Sequence, residues 1–126
     1  MNDNRLSDFL DQMLEAAGLA CTYVEGMDKD VFLTDTRTQQ AVILNIIVIG
    51  EVATKLLKDY GSFLDQHTDV PWRSMKGMRN RIAHGYFDID LAVVWETVQT
   101  ALPQLLSSLP TIRDAALKDR EGGTSK

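Results

Sequence analysis

Apolar positions recur every three or four residues along most of the chain, the period of a single helix face. From Asn4 to about Val24 they fall at Leu6, Phe9, Leu10, Met13, Leu14, Ala17 and Val24, and Gly26 then breaks the pattern. The stretch DKDVFLTD (28–35) reads as a short helical turn with Val31, Phe32 and Leu33 directed inward. TRTQ (36–39) has the form of a helix start, with Thr36 as cap and Gln39 reaching back to its amide. Behind it, Val42/Ile43, Ile46/Ile47, Ile49/Gly50, Ala53 and Leu56/Leu57 predict a long, deeply buried helix running to about Tyr60. The β-branched run 46–49 alone would pass for a strand, but the length of the periodic segment and its polar flanks decide for a helix. Gly50 inside it costs roughly 1 kcal/mol relative to alanine, tolerable where a neighbouring backbone must come close.

After a loop, VPW (70–72) places Pro71 at the first position of the next helix, whose apolar stripe is Trp72, Met75, Met78 and Ile82 and whose stop is Gly85. Asp88 or Asp90 caps a last helix with the stripe Leu91, Val94/Trp95, Val98, Leu102, Leu105/Leu106 and Leu109, kinked by Pro103. There are no strand pairs and no repeats. The expected architecture is all-α: one domain over residues 1–118, a bundle of four main helices plus the short extra turn. Residues 119–126 (DREGGTSK) have no apolar content and are expected to form a disordered tail.

Composition agrees with one soluble globular domain: 126 residues, 44% hydrophobic, 25% charged. The most apolar run, AVILNIIVIG (41–50), is about half a membrane span and is interrupted by an asparagine, so no membrane partner is expected. No basic segment precedes an apolar core at the start, so a secretory signal is not expected either. The single cysteine, Cys21, leaves no internal disulfide framework; it fits a reducing cytoplasm and a place lining the core. Net charge is −5, which argues against a general nucleic-acid binder. Yet no acidic residue lies between Asp69 and Asp88, while Arg73, Lys76, Arg79 and Arg81 all do. A basic island that small suits local phosphate contact better than scanning of a polymer.

The chemistry concentrates in the same island. One cysteine and two distant histidines, His67 and His84, supply no metal-ligand cluster, so no metal or other cofactor is expected. No nucleophile elbow and no glycine-rich phosphate loop is present. What remains is Arg79, His84 five residues later, and Tyr86 two beyond that. Arginine is a fixed charge with a planar donor fork, suited to a phosphodiester. Histidine exchanges a proton near neutrality. Together they can run metal-free RNA cleavage, although arginine and histidine at this spacing also occur on merely solvated helix faces. In an unbroken helix the two point about 140° apart. Either the helix ends near His84, as Gly85 favours, or a twofold dimer supplies the second group. Asn45 reads as a satisfied buried amide or a polar dimer contact, Glu51 as a helix-face charge that could instead pair with a motif arginine, and Trp72 and Trp95 as core anchors.

The segments RTQQAVILNIIVIGEVATKL (37–56) and PWRSMKGMRNRIAHGYFDIDLAVVWETVQTALPQL (71–105), with their spacing, resemble the HepT family of HEPN-domain toxins. The hallmark is an arginine, four to six intervening residues and a histidine, usually with a polar residue after the arginine. Arg79, Asn80 and His84 match it, and Tyr86 fills the tyrosine position of the HepT form. The resemblance spans residues of about 5 to 110. It implies a homodimeric HEPN-type bundle with two motif segments lining one cleft, and a metal-independent endoribonuclease acting as a cytoplasmic toxin. The implied roles are Arg79 on the phosphate, His84 as acid/base, Asn80 orienting, and Tyr86 as the residue that takes AMP. The implied partners are an RNA substrate and a minimal nucleotidyltransferase antitoxin, with which larger hetero-oligomers can form; the basic island adds Arg73, Lys76 and Arg81 as expected contacts to RNA phosphates. A reading of a different class keeps the same bundle as a non-catalytic module that binds, and is modified by, that partner.

Overall fold

The computed structural model describes residues 4–85 and 88–124, with side-chain surroundings given for these except residues 4, 83, 84 and 119–124. Most of the described residues are helical, and none of them lies in a strand. Helix α1 (Asn4–Tyr23) is followed by the short α2 (Lys29–Phe32), the long α3 (Thr36–Asp59), the short α4 (Gly61–Leu64), α5 (Trp72–His84), α6 (Leu91–Glu96), a π-helical turn (Thr97–Ala101) and α7 (Leu102–Thr124). Four main rods result: α1, α3, α5, and α6 with α7.

α3 is the centre. It packs against α1 on one side and α5 on another, while α1 also packs against α7. Its apolar stripe buries Val42, Ile43, Ile46, Ile49, Val52, Ala53 and Leu56. Leu6, Phe9, Leu10, Met13 and Ala17 meet it from α1, and Leu105, Leu109 and Ile112 close the core from α7. By length and composition alone the 24-residue α3 is apolar enough to cross a membrane, but its apolar stripe is covered by the neighbouring helices. Asn45, buried in this stripe, donates from Nδ2 to the Ala41 carbonyl at 2.9 Å, so its amide is satisfied on its own helix. Trp72 and Trp95 are both buried, the latter against Phe32 with ring centroids 5.3 Å apart. Cys21 is half-buried beside the Val98 carbonyl; burial, and secondarily Glu25, push its thiol pKa up.

Several local expectations change. Of the inward trio only Phe32 is buried; Val31 and Leu33 are exposed. A four-residue helix has one inward direction per turn, and Phe32 takes it. α3 is capped by Asp35 rather than Thr36: the carboxylate accepts from the Thr38 amide at 3.1 Å and the Thr38 hydroxyl at 2.7 Å. A carboxylate one residue earlier out-competes the hydroxyl for the same orphan amide. Gln39 reaches the Phe32 carbonyl instead, at 2.9 Å. Pro71 stands one place ahead of α5, as its N-cap, and its carbonyl receives the Met75 amide at 3.1 Å. Asp90, not Asp88, caps α6, accepting from Ala92 and Val93.

The kink attributed to Pro103 takes the form of the π turn. Pro103 has no N–H for the Gln99 carbonyl, and the Leu102 amide bonds back five residues to Thr97. α7 tolerates a second proline, Pro110, on its exposed side. Its last residue is Thr124. Among the described residues Gly26 alone has a positive φ, 74°, the left-handed conformation that ends α1's register.

Candidate active site

α5 positions the basic island. Trp72 anchors its first turn, buried and donating from Nε1 to the His67 carbonyl at 3.0 Å. Ile82 is buried and Met75 and Met78 are half-buried, so one stripe of the helix faces the bundle. Arg73, Lys76 and Arg81 are exposed. α5 ends at His84, and Gly85 closes it with its amide on the Arg81 carbonyl at 3.0 Å. Gly85 has φ −143°, ordinary extended backbone, so it stops the helix by leaving the helical region rather than by a left-handed turn.

Arg79 lies on the flank of α5 that meets α3. The approach is close because of Gly50: a Cβ there would stand 2.1 Å from the Arg79 Cβ and 2.8 Å from the Met75 carbonyl oxygen. The residue next to Gly50 is Glu51, and its Oε2 accepts from Arg79 Nε at 2.9 Å and also from Nη2. Asn80 completes the set, its Oδ1 accepting from Arg79 Nη1 at 2.6 Å. Glu51 is thus the residue that sequence pattern underrates. The sequence leaves it between a helix-face charge and a partner of a motif arginine, and the structure decides for the pairing with Arg79.

By helical register, positions 73, 76, 80 and 84 share one side of α5, whereas 79 lies about 140° from 84. The structure therefore groups Arg79 with Asn80 and Glu51, and leaves Arg73 and Lys76 exposed on the outward side of the helix. The side chain of His84, and Tyr86 altogether, lie outside the described residues. Among the described residues no three His, Cys, Asp or Glu side chains gather into an ion site. An apolar cavity of about 150 Å³ opens between α3, the start of α5 and the π turn, but none of Arg73, Lys76, Arg79 or Asn80 lines it. The arrangement offers an oriented arginine fork beside a short basic surface, which suits a phosphodiester rather than an apolar ligand.

Comparison with known proteins agrees with this chemistry. Residues 13–112 match the family model described as Ribonuclease HepT-like. A protein of Thermococcus cleftensis, named probable ribonuclease HepT, is 33% identical over 106 residues, 84% of this chain and 94% of its own length. An RNase-named protein of Methanocaldococcus jannaschii is 33% identical over 90% of this chain and 88% of its own. Another, from Caldanaerobacter subterraneus, is 29% identical over 77% and 84% respectively. No solved structure gives a significant match.

Proposed function

We propose that this chain, which belongs to the HepT-like ribonuclease family, is the metal-independent endoribonuclease toxin of a type VII-like toxin–antitoxin pair. The observation that carries the catalytic reading is Arg79, held by Glu51 and Asn80 on a helix that ends at His84. His84 takes the proton of a 2′-hydroxyl as O2′ attacks phosphorus, and Arg79 stabilises the charge that builds on the crowded phosphorane. The bond from phosphorus to O5′ breaks, a proton returns to O5′, and a 2′,3′-cyclic phosphate remains. Arg73, Lys76 and Arg81 hold flanking phosphates, each as a local charge.

The divergent registers of positions 79 and 84 support a homodimer in which two motif segments share a cleft. α3 offers a matching apolar surface: Leu44 is 61% exposed, and half-buried Ile47 and Val48 share its face, which continues to Glu51. Leu44→Lys is expected to shift the protein towards monomer in light scattering and to lower cleavage in parallel. A wild-type monomer with full activity at micromolar concentration removes the dimer.

Control is assigned to Tyr86. AMP carried onto its hydroxyl by a minimal nucleotidyltransferase partner adds bulk and negative charge beside the basic island, opposing RNA phosphate. Cleavage of RNA by the chain alone in EDTA, leaving cyclic phosphate ends, tests the catalytic half. Co-expression with the partner tests the other: mass is added to Tyr86 in units of AMP, toxicity disappears, and Tyr86→Phe stays toxic. Full neutralisation of Tyr86→Phe by the partner shows control by binding instead.

A further inference from the structure

We infer that Glu51 is a positioning residue for Arg79, holding the guanidinium so that its two terminal nitrogens face an RNA phosphate; the substrate in this inference rests on the ribonuclease reading above. The two residues lie 28 positions apart on different helices, and Gly50 lets those helices approach until the Arg79 Cβ and the Met75 carbonyl lie against α3. Glu51 then meets the side edge of the guanidinium, taking Nε–H and one Nη2–H on a single oxygen, while Asn80 takes one Nη1–H. These contacts engage three of the five N–H donors, leaving one on Nη1 and one on Nη2. A phosphate bound through those two makes a forked contact without displacing Glu51.

Exposure points the same way. The Arg79 side chain is 28% exposed and that of Glu51 44%, so the pair is open to an incoming phosphate. An ion pair this open contributes little to stability. What it does remove is rotational freedom from a long side chain before substrate arrives, which lowers the entropic cost of reaching the reactive geometry. Glu51 also attenuates the attraction of Arg79 for any anion at a distance. The expected benefit therefore falls on turnover, where charge builds on the phosphorane, rather than on ground-state binding.

The experiment compares wild type, Glu51→Ala and Glu51→Gln in two ways, with thermal melts to check folding. Steady-state cleavage of RNA is expected to show kcat reduced about 10- to 100-fold in Glu51→Ala with KM changed by less than about threefold, and an intermediate loss in Glu51→Gln, which keeps one acceptor oxygen. Independently of catalysis, the Arg79 Nε–H resonance is followed by NMR, assigned by its loss in Arg79→Lys. It is expected to be sharp in wild type, to persist when a 2′-O-methylated RNA is added, and to broaden away in Glu51→Ala. Unchanged or raised kcat in Glu51→Ala overturns the inference, as does RNA displacing the Nε–H contact in wild type; both describe a carboxylate that competes with substrate. A wild-type protein that cuts no RNA defeats the ribonuclease reading instead. The resonance then still decides Glu51: a shift on RNA binding with the Glu51 contact kept supports positioning, and displacement or no shift refutes it.

Discussion

Two arginine–carboxylate pairs join helices among the described residues, and they are close to equal in exposure. Arg79 with Glu51 ties α5 to α3, side chains 28% and 44% exposed; Arg113 with Asp11 ties α7 to α1, side chains 37% and 46% exposed. At that exposure each is expected to contribute between nothing and about 1 kcal/mol. Their surroundings differ. Arg113 gives Nε to Asp11. Arg79 gives two nitrogens to one Glu51 oxygen and a third to Asn80, and stands against a glycine that brings its helix in. The first pair joins two helices. The second fixes the plane of a fork through three nitrogens, so what an ion pair does is told by how many of the arginine's donors are held rather than by its presence.

That contrast breaks most sharply in RNA cleavage. Arg79→Ala is expected to lose roughly 100-fold or more, as is His84→Ala, whereas Arg113→Ala should cleave as wild type does. Equal losses for the two arginines would falsify the distinction. Arg79→Lys should fail almost as badly, because an ammonium cannot reproduce the planar fork; Arg113→Lys should be silent, and the same cleavage assay decides both. Gly50→Ala carries the comparison into stability. The new methyl group meets backbone and Cβ atoms that cannot turn aside, so a loss of about 1–3 kcal/mol by urea denaturation is expected, with activity falling as α5 is displaced. A Gly50→Ala protein with wild-type stability and cleavage would mean that the helices need not touch there.

The smallest effect concerns a carboxylate on the same helix as Glu51 but outside the site. Asp35 is held below its ordinary pKa of 3.8 chiefly by the Thr38 hydroxyl and then by the Thr38 amide. A lowered folded pKa makes its contribution fully present above that ordinary value and lost as pH falls through the depressed one. The melting temperature of wild type should therefore exceed that of Asp35→Ala at neutral pH, and the gap should narrow below pH 3.8. A gap independent of pH would assign the cap to shape rather than charge. Cleavage should be untouched by this substitution, in contrast to Glu51→Ala.

Much of the molecule can be read locally. The three-four stripes of α1, α3 and α5, the break at Gly26, the stop at Gly85 and the buried Trp72 and Trp95 all follow from residues within a turn or two of one another. The Arg79–Asn80–His84 spacing with Tyr86 is local too, which is why the family was legible. Errors arose where one residue's neighbour had a better claim to the same partner: Asp35 over Thr36 at the cap, and Phe32 over Val31 and Leu33 for the core. The π turn lay between, since Pro103 foretold a disturbance but not the five-residue bond that absorbs it.

The amino-acid sequence by itself determined four apolar stripes, their ends and the chemistry carried on α5, because each depends on the fixed period of one helix. It left Glu51 undecided between a solvated charge and a partner of Arg79. Only the tertiary structure decided that, because pairing across 28 residues depends on the rotation of α5 about its own axis and on how near it lies to α3. Both are set by side-chain packing around Gly50, where a single absent methyl group lets the two helices meet.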